Sequence, residues 1–175
     1  MEINNFILRK PLHSDLDDLF LVKNNKKTSK LLGGNTPEYS HQDIINWIDY
    51  HNSLDNEELF VIFDKVKCKV IGHVGLYKID KLKKCAEFAI LIGNDDYIGK
   101  GVGKQITRII IDYGFKELNL DRISLSLLDA NIPAFILYKK LGFIEEGRQK
   151  EAIWKNNRYY DNILMAILRR NYECP

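Results

Sequence analysis

The stretch from Asp95 to Lys104 reads DDYIGKGVGK, and its glycines Gly99, Gly101 and Gly103 stand at every second position. Glycine gives up side-chain packing but admits backbone conformations and close approaches that other residues avoid. A strand-like apolar run precedes this stretch, and a helical pattern follows it. The stretch therefore predicts either a tight strand-to-helix turn or a turn that accommodates a bound group.

The pattern after the glycines favours a bound anion. Apolar residues recur there with the spacing of one helix face: Val102, Ile106, Ile109, Ile110 and Tyr113. The first amides of such a helix have no partner inside it, and its dipole places roughly half a positive charge at its start. Lys100 and Lys104 add full charges beside it, so a phosphate or pyrophosphate is the expected ligand.

Two familiar phosphate-binding motifs do not fit this stretch. A Walker loop ending at Lys104 needs glycine at position 98 and Ser or Thr at 105, where Ile98 and Gln105 stand. The Rossmann fingerprint fails as well, because its third glycine would fall on Lys104 or Ile106. Only the physics common to both motifs remains: a strand, a turn without side chains, and a helix start.

Capping signals predict two helices in the first part of the chain. The run FILRKP predicts a first strand, after which Ser14 or Asp15 can cap a helix. Ser40, followed three residues later by Asp43, gives a clearer capping signal. It predicts a second helix that ends near Tyr50.

The middle of the chain has the period and composition of strands. ELFVIFD, KVIGHVGLY and CAEFAILI are short, rich in β-branched and aromatic residues, and separated by charged turns. Runs of this kind predict strands joined as an antiparallel meander.

The last part of the chain completes the predicted fold. RISLSLL predicts a strand, and Asn131 with Pro133 begins a short helix that Gly142 ends. FIEEGRQKEAIW and YYDNILMAIL, joined by KNNR, predict a closing hairpin. The order of elements indicates an α+β (mixed α/β) fold, with helices packed against a largely antiparallel sheet.

Length and charge narrow the class of protein. The chain has 175 residues, enough for one domain with a real core, so residues 1–175 are predicted to be a single domain. The net charge is +2, from 26 basic and 24 acidic residues, and such a balance indicates neither a nucleic-acid nor a membrane partner. The first ten residues have no signal-peptide pattern and no long apolar run occurs, so we expect a cytoplasmic protein.

The residue types that hold metals are scattered along the chain. The cysteines are Cys68, Cys85 and Cys174, and the histidines are His13, His41, His51 and His73. No Cys-x-x-Cys pair and no His pair at i, i+4 occurs among them. The sequence therefore predicts no metal and no disulfide framework.

Several of these elements together resemble the GNAT N-acetyltransferases. They are AEFAILI, YIGKGVGK, QITRIIIDYGFKELNL, RISLSLL and NIPAFILYKKLGFIEEG, over about residues 86–167. The resemblance implies a GNAT-type fold, with a central, mostly antiparallel twisted sheet flanked by about four helices. It also implies acetyl-CoA as cosubstrate. The first eighty residues fit the family only in the order of their elements.

The resemblance assigns the residues that bind acetyl-CoA. The family loop, Arg/Gln-x-x-Gly-x-Gly/Ala, places Gly101 and Gly103 on its glycines and Ile98 where Arg or Gln is usual. Backbone amides of this loop grip the pyrophosphate in the family, which here implies Ile98, Gly99, Lys100, Gly101, Val102, Gly103 and Lys104. Backbone groups of Leu91 and Ile92 lie near the acetyl carbonyl, where N–H groups can stabilise an oxyanion. Asn131 binds the cofactor arm, caps its helix, or does both.

The resemblance also implies two catalytic residues. Tyr138 takes the position of a tyrosine that stands beside the cofactor sulfur, where a phenol can protonate the thiolate leaving group. Glu87 takes the position of a glutamate that deprotonates the incoming amine through water. The alternatives are a surface tyrosine and an ordinary strand-edge carboxylate. His73, Glu57 and Glu58 compete as bases, and Cys85 as an acyl carrier is disfavoured against direct transfer in a ternary complex.

The acceptor is the least determined part of the prediction. The C-terminal half looks most like spermidine, ribosomal-protein-alanine and nucleotide-linked amino-sugar acetyltransferases. We therefore expect a small-molecule primary amine, with an amino sugar or polyamine ahead of a protein N-terminus. A module that binds acyl-CoA without catalysis is the alternative from another class. Trp154, Tyr159 and Tyr160 near the end of the chain are candidates for a homodimer contact.

Overall fold

The computed structural model describes residues 1–34 and 37–172, which form one eight-stranded sheet with helices on both faces. The strands are β1 (Glu2–Ile3), β2 (Phe6–Arg9), β3 (Glu58–Asp64), β4 (Lys69–Asp80), β5 (Cys85–Ile92), β6 (Arg122–Leu128), β7 (Ile144–Lys155) and β8 (Arg158–Leu168). The helices are α1 (Leu16–Lys23), α2 (Lys26–Ser29), α3 (His41–Ser53), α4 (Val102–Lys116), α5 (Ile132–Lys140) and α6 (Arg169–Tyr172). Two 3₁₀ turns span His13–Asp15 and Asp95–Tyr97.

The sheet has a gap in its hydrogen bonding near the centre. Its order is β1-β2-β3-β4-β5-β6-β8-β7, and all neighbours are antiparallel except β5 and β6. The parallel pairing of β5 with β6 ends at Glu87 and Ser124. Beyond that pair, residues 88–92 of β5 do not pair with residues 125–128 of β6. We call the space between these two segments the wedge.

The helices pack on the two faces of the sheet in separate apolar clusters. The larger cluster joins α4 and α5 to one face and includes Phe60, Phe88, Ile106, Ile110 and Tyr138. The smaller cluster joins α1 and α3 to the other face and includes Leu19, Ile44, Ile48, Val61 and Val70. Successive side chains of a strand point to opposite faces of the sheet, so each strand residue packs against the helices of one face.

Local sequence signals explain where the elements begin and end. The side chains of Ser40 and Asp43 cap α3 reciprocally, as a capping box does. Gly142, with φ of +96°, follows α5. Asn156 and Asn157, at φ of +52° and +59°, form the turn of the β7–β8 hairpin, as the left-handed positions of a two-residue turn require.

The predicted fold class is confirmed, with a few differences in detail. α3 runs three residues beyond the predicted Tyr50 to Ser53. β1, α2, α6 and both 3₁₀ turns were not predicted, because they are short and polar and show no periodicity. Cys68 and Cys85 are free thiols, and Cys174 lies outside the described residues.

Helix α1 packs directly against the end of β5. A Cβ atom at Gly93, the residue after β5, would lie 2.5 Å from the carbonyl oxygen of Val22 and 2.6 Å from its Cα. The side-chain amide of Asn25 also donates to the Gly93 carbonyl at 2.7 Å. The C-terminus of α1 is therefore fixed over the open end of the wedge.

Gly93→Ala should destabilise the protein by about 2–3 kcal/mol, because the new methyl group meets rigid backbone. Gly147→Ala is the matched control, since nothing lies within 4 Å of a Cβ atom there, and it should change stability by less than about 0.5 kcal/mol. Urea denaturation of both variants measures the difference. Equal stability of the two variants would contradict the close packing of α1 on β5.

Candidate active site

The glycine turn between β5 and α4 has the backbone that only glycine adopts readily. Gly99 and Gly101 have φ of +74° and +77°, and nothing lies within 4 Å of a Cβ atom at either position. Tyr97, which precedes the turn, anchors it, because its hydroxyl donates to the buried carboxylate of Asp64 at 2.5 Å. The two glycines therefore keep an open surface beside a rigid support.

Free amides face this open surface. Gly101 is the N-cap of α4, and its carbonyl accepts from Gln105 at 3.1 Å. Val102, Gly103 and Lys104 precede that bond, and their N–H groups have no acceptor among the described residues. The N–H of Ile98 does have one, because it donates to the Asp95 carbonyl at 3.1 Å. The free donors for an anion thus begin after Ile98.

The glycine turn and the wedge are adjacent. A Cβ atom at Gly103 would lie 3.7 Å from the Ile92 side chain. The carbonyl of Leu91 faces β4, since a Cβ atom at Gly72 would lie 2.1 Å from it, and the Gly93 N–H donates to Ile71 of β4. The backbone N–H and C=O groups of successive strand residues point to opposite sides of the strand, so those of Leu91 face β4. The Ile92 N–H faces the wedge.

Tyr138 lies beside the start of the wedge. Its ring is 6.1 Å from that of Phe88 and 5.6 Å from that of Phe143, between centroids. Burial raises the pKa of Tyr138 to about 12, so the phenol keeps its proton at neutral pH. No described residue accepts a hydrogen bond from its hydroxyl.

Asn131 has both of its amide groups engaged. Its oxygen accepts from the Ala134 N–H at 3.3 Å, which is the capping role predicted for it. Its nitrogen donates to the Leu31 carbonyl at 3.2 Å. The start of α5 is thereby tied to the segment that follows α2.

Glu87 lies at the closed end of the wedge, opposite Ser124. Its carboxylate is half-exposed and pairs with the Lys78 ammonium at 2.9 Å. Leu91 lies four positions further along β5, roughly 13 Å away along the strand. Of the competing bases, His73 is the one that pairs in register with Leu91.

A cluster of polar and aromatic side chains fills the space between α1, α3 and β4. Lys23 is only 8% exposed as a residue, and its ammonium lies 4.0 Å from the Trp47 ring centroid and 5.0 Å from that of Tyr39. Trp47 in turn lies 5.0 Å from His73. His51 packs on Trp47 and hydrogen-bonds Glu57. We call Lys23, Tyr39, Trp47 and His73 the Lys23 cluster.

The sequence analysis missed Lys23, although a signal for it exists. Lys23 follows Leu19 by four residues and Phe20 by three, so it falls on the apolar face of α1. A lysine on an apolar face is unusual. Burial lowers its pKa to about 8.

A second buried lysine connects the hairpin to the segment after α2. Lys155, at the end of β7, donates to the carbonyls of Ser29, Leu32 and Gly34 at 2.7, 2.8 and 2.8 Å. We call this contact the Lys155 clasp. It holds residues 29–34 through backbone carbonyls alone among the described residues.

Two searches of the described residues gave negative results. No group of three or more His, Cys, Asp or Glu side chains in residues 1–34 and 37–172 is arranged to hold a metal ion. Over the same residues, every helix is too short or too polar to span a membrane.

The wedge, the glycine turn and the buried tyrosine define the class of protein. The chain belongs to the GNAT acetyltransferase family, since the model of the acetyltransferase (GNAT) domain matches residues 5–144. The resemblance drawn from residues 86–167 is confirmed. The chain is thus an acyltransferase of the N-acetyltransferase type.

Among its relatives are enzymes of known and of putative substrate. Spermidine N(1)-acetyltransferase of Vibrio cholerae is 35% identical over 136 residues, which cover 78% of each chain. A putative ribosomal N-acetyltransferase of Bacillus subtilis is 24% identical over 158 residues, covering 87% of this chain and 84% of that protein. The crystal structure of spermidine N-acetyltransferase from Vibrio cholerae, in complex with CoA and spermine, matches with a TM-score of 0.87 at 30% identity. It covers 97% of this chain and 98% of that one.

The lowered pKa of Lys23 makes stability depend on pH. Between pH 8 and the ordinary lysine pKa of 10.5, the folded protein binds fewer protons than the unfolded chain. Its free energy of unfolding should therefore rise with pH, by at most about 1.4 kcal/mol per unit. Lys23→Met lacks this contribution, so urea denaturation from pH 7.5 to 9.5 should show a shallower rise for it. Parallel curves would contradict a buried, destabilised ammonium.

Proposed function

We propose that the protein transfers the acetyl group of acetyl-CoA to a primary amine of a small molecule, an amino sugar or polyamine, by direct transfer in a ternary complex. The observation that carries the proposal is the end of β5–β6 pairing at Glu87 and Ser124. It leaves a strand edge open beside both the glycine turn and Tyr138. An extended thioester arm can pair with such an edge.

The residues of the glycine turn suit the pyrophosphate of acetyl-CoA. The open surface at Gly99 and Gly101 admits close approach, and the amides of residues 102–104 are free donors at a helix start. Lys100 and Lys104 add charge. The cosubstrate supplies an activated thioester, and the chain supplies the groups that hold and orient it.

Three groups of the chain then act on the reacting atoms. The Ile92 N–H stabilises negative charge on the acetyl oxygen as the amine nitrogen attacks the carbonyl carbon. Tyr138 donates a proton to the sulfur as the carbon–sulfur bond breaks. The incoming ammonium must lose a proton to have a lone pair. Glu87, acting through water, is the predicted base, with His73 as the competitor placed opposite Leu91.

Two alternatives remain for the function. The ribosomal relative supports a protein N-terminus as acceptor, and a module that binds acyl-CoA without turnover would keep the turn but not need Tyr138. We also propose one catalytic domain over residues 1–175, a cytoplasmic location, and no metal, nucleic-acid or membrane partner.

A homodimer is part of the proposal. Trp154 and Tyr159 are exposed and lie 4.7 Å apart between ring centroids, which leaves an aromatic patch available to a second copy. Tyr160, the third residue considered for this contact, is buried beneath Arg158 instead.

Tyr138→Phe should lower kcat of thiol release by about 100-fold or more while leaving the Kd of acetyl-CoA within a few-fold, because only the proton donor is removed. Single-turnover thiol release and calorimetric titration with acetyl-CoA measure the two quantities. An unchanged kcat would mean that the tyrosine only packs, and tight binding without release from any amine in the wild type would favour the binding module.

Glu87→Gln and His73→Asn distinguish the two candidate bases. The variant that removes the base should lower kcat by about 100-fold at pH 7 and recover activity as pH rises, since a larger share of the amine is then neutral. The other variant should keep the wild-type pH profile. If both variants keep the wild-type kcat and pH profile, neither residue is the base.

A further inference from the structure

We propose that the acceptor amine carries an anionic group, a carboxylate or phosphate, and that Lys23 binds this group. The inference rests on the proposed acetyl transfer and narrows its acceptor. It sets this chain apart from its spermidine-acetylating relatives, because spermidine is a polycation.

Lys23 has no counter-ion among the described residues. Its ammonium is buried against the rings of Trp47 and Tyr39 and forms no ion pair with any carboxylate in the part of the chain that the structure describes. A buried charge is costly unless an opposite charge accompanies it. By contrast, Lys27 nearby pairs with Asp95. An anionic ligand would supply the negative charge that Lys23 lacks.

The ring of His73 also lacks hydrogen-bond partners among the described residues. Both ring nitrogens are buried and lack a hydrogen-bond partner among the described residues. Burial, with the charges of Lys23 and His51, lowers the pKa of His73 well below its usual range. The neutral ring still has one N–H donor. An anion bound to Lys23 would accept from that donor as well.

The Lys23 cluster adjoins the reacting end of the wedge. Val22 contacts Gly93 at the end of β5, so Lys23 follows directly after the residue that seats α1 there. His73 pairs in register with Leu91, beside the backbone predicted to hold the acetyl carbonyl. An acceptor with its amine at the thioester can therefore extend its other end toward Lys23.

The entrance to Lys23 is polar and carries more positive than negative charge. A small cavity there is lined by Lys23, Asn24, Lys26, Ser29, Pro37 and Glu38. Among the described residues Glu38 makes no ion pair with either lysine, and Glu57 hydrogen-bonds His51. Two ammonium groups against one carboxylate favour an anion and repel a second cationic group of a polyamine.

Matched acceptors test the proposal by thiol release with acetyl-CoA. One pair is glucosamine and glucosamine 6-phosphate, for a phosphate. The other is an amino acid and its amide, for a carboxylate, with spermidine as the polycation. We expect kcat/KM at least 10-fold higher for the anionic member of one pair, mostly through KM, and higher than for spermidine. The pair that shows the difference identifies the anion.

Two lysine variants separate a specific contact from general charge. Lys23→Met should reduce the preference for the anionic acceptor at least 10-fold. Lys30→Met removes the same charge from an exposed position close to α2 and should keep the preference. A preference for spermidine, or an equal loss in both variants, would overturn the anion proposal while leaving acetyl transfer intact.

A binding measurement makes the test independent of turnover. The chain has two tryptophans, so the Trp154→Phe variant reports fluorescence from Trp47 alone, whose ring faces the ammonium. Titration with inorganic phosphate or acetate should give a saturable change that Lys23→Met abolishes. If no amine releases thiol, acetyl transfer fails, and this titration alone decides on the anion site. No saturable, Lys23-dependent change overturns the proposal.

Discussion

The incomplete pairing of β5 with β6 is the constraint on which the site depends. A strand in the middle of a sheet normally satisfies all of its backbone groups with its neighbours. Here the register holds only to Glu87 and Ser124, and the Ile92 N–H is left facing a gap. Helix α4 begins where that gap ends, so unpaired strand groups and unpaired helix amides meet at one place. Such unpaired backbone groups can form hydrogen bonds with a polar, extended ligand.

The placement of α1 depends on the absence of one side chain. Because Gly93 has no Cβ, Val22 can contact the end of β5 through its backbone. This contact brings Lys23 beside the open end of the wedge, where Trp47 and Tyr39 lie against its ammonium. The position of Lys23 is thus set by packing between a helix and a strand end.

The fold was largely predictable from the sequence because its signals are local. The caps at Ser40 and Asn131 and the apolar face of α4 each specify their own element. The end of β5–β6 pairing had no local signal, since it arises from how two distant strands diverge. The Lys23 cluster escaped prediction for a similar reason: its members come from α1, α3, β4 and a loop, and only tertiary packing brings them together.

The Lys155 clasp binds backbone carbonyls and no side chains. The backbone of residues 29–34 is therefore anchored through atoms that every amino acid shares. Replacement of the Lys26 or Ser29 side chain would leave these carbonyl acceptors in place. One lysine on a distant hairpin thereby separates the position of this stretch from the chemistry of its side chains.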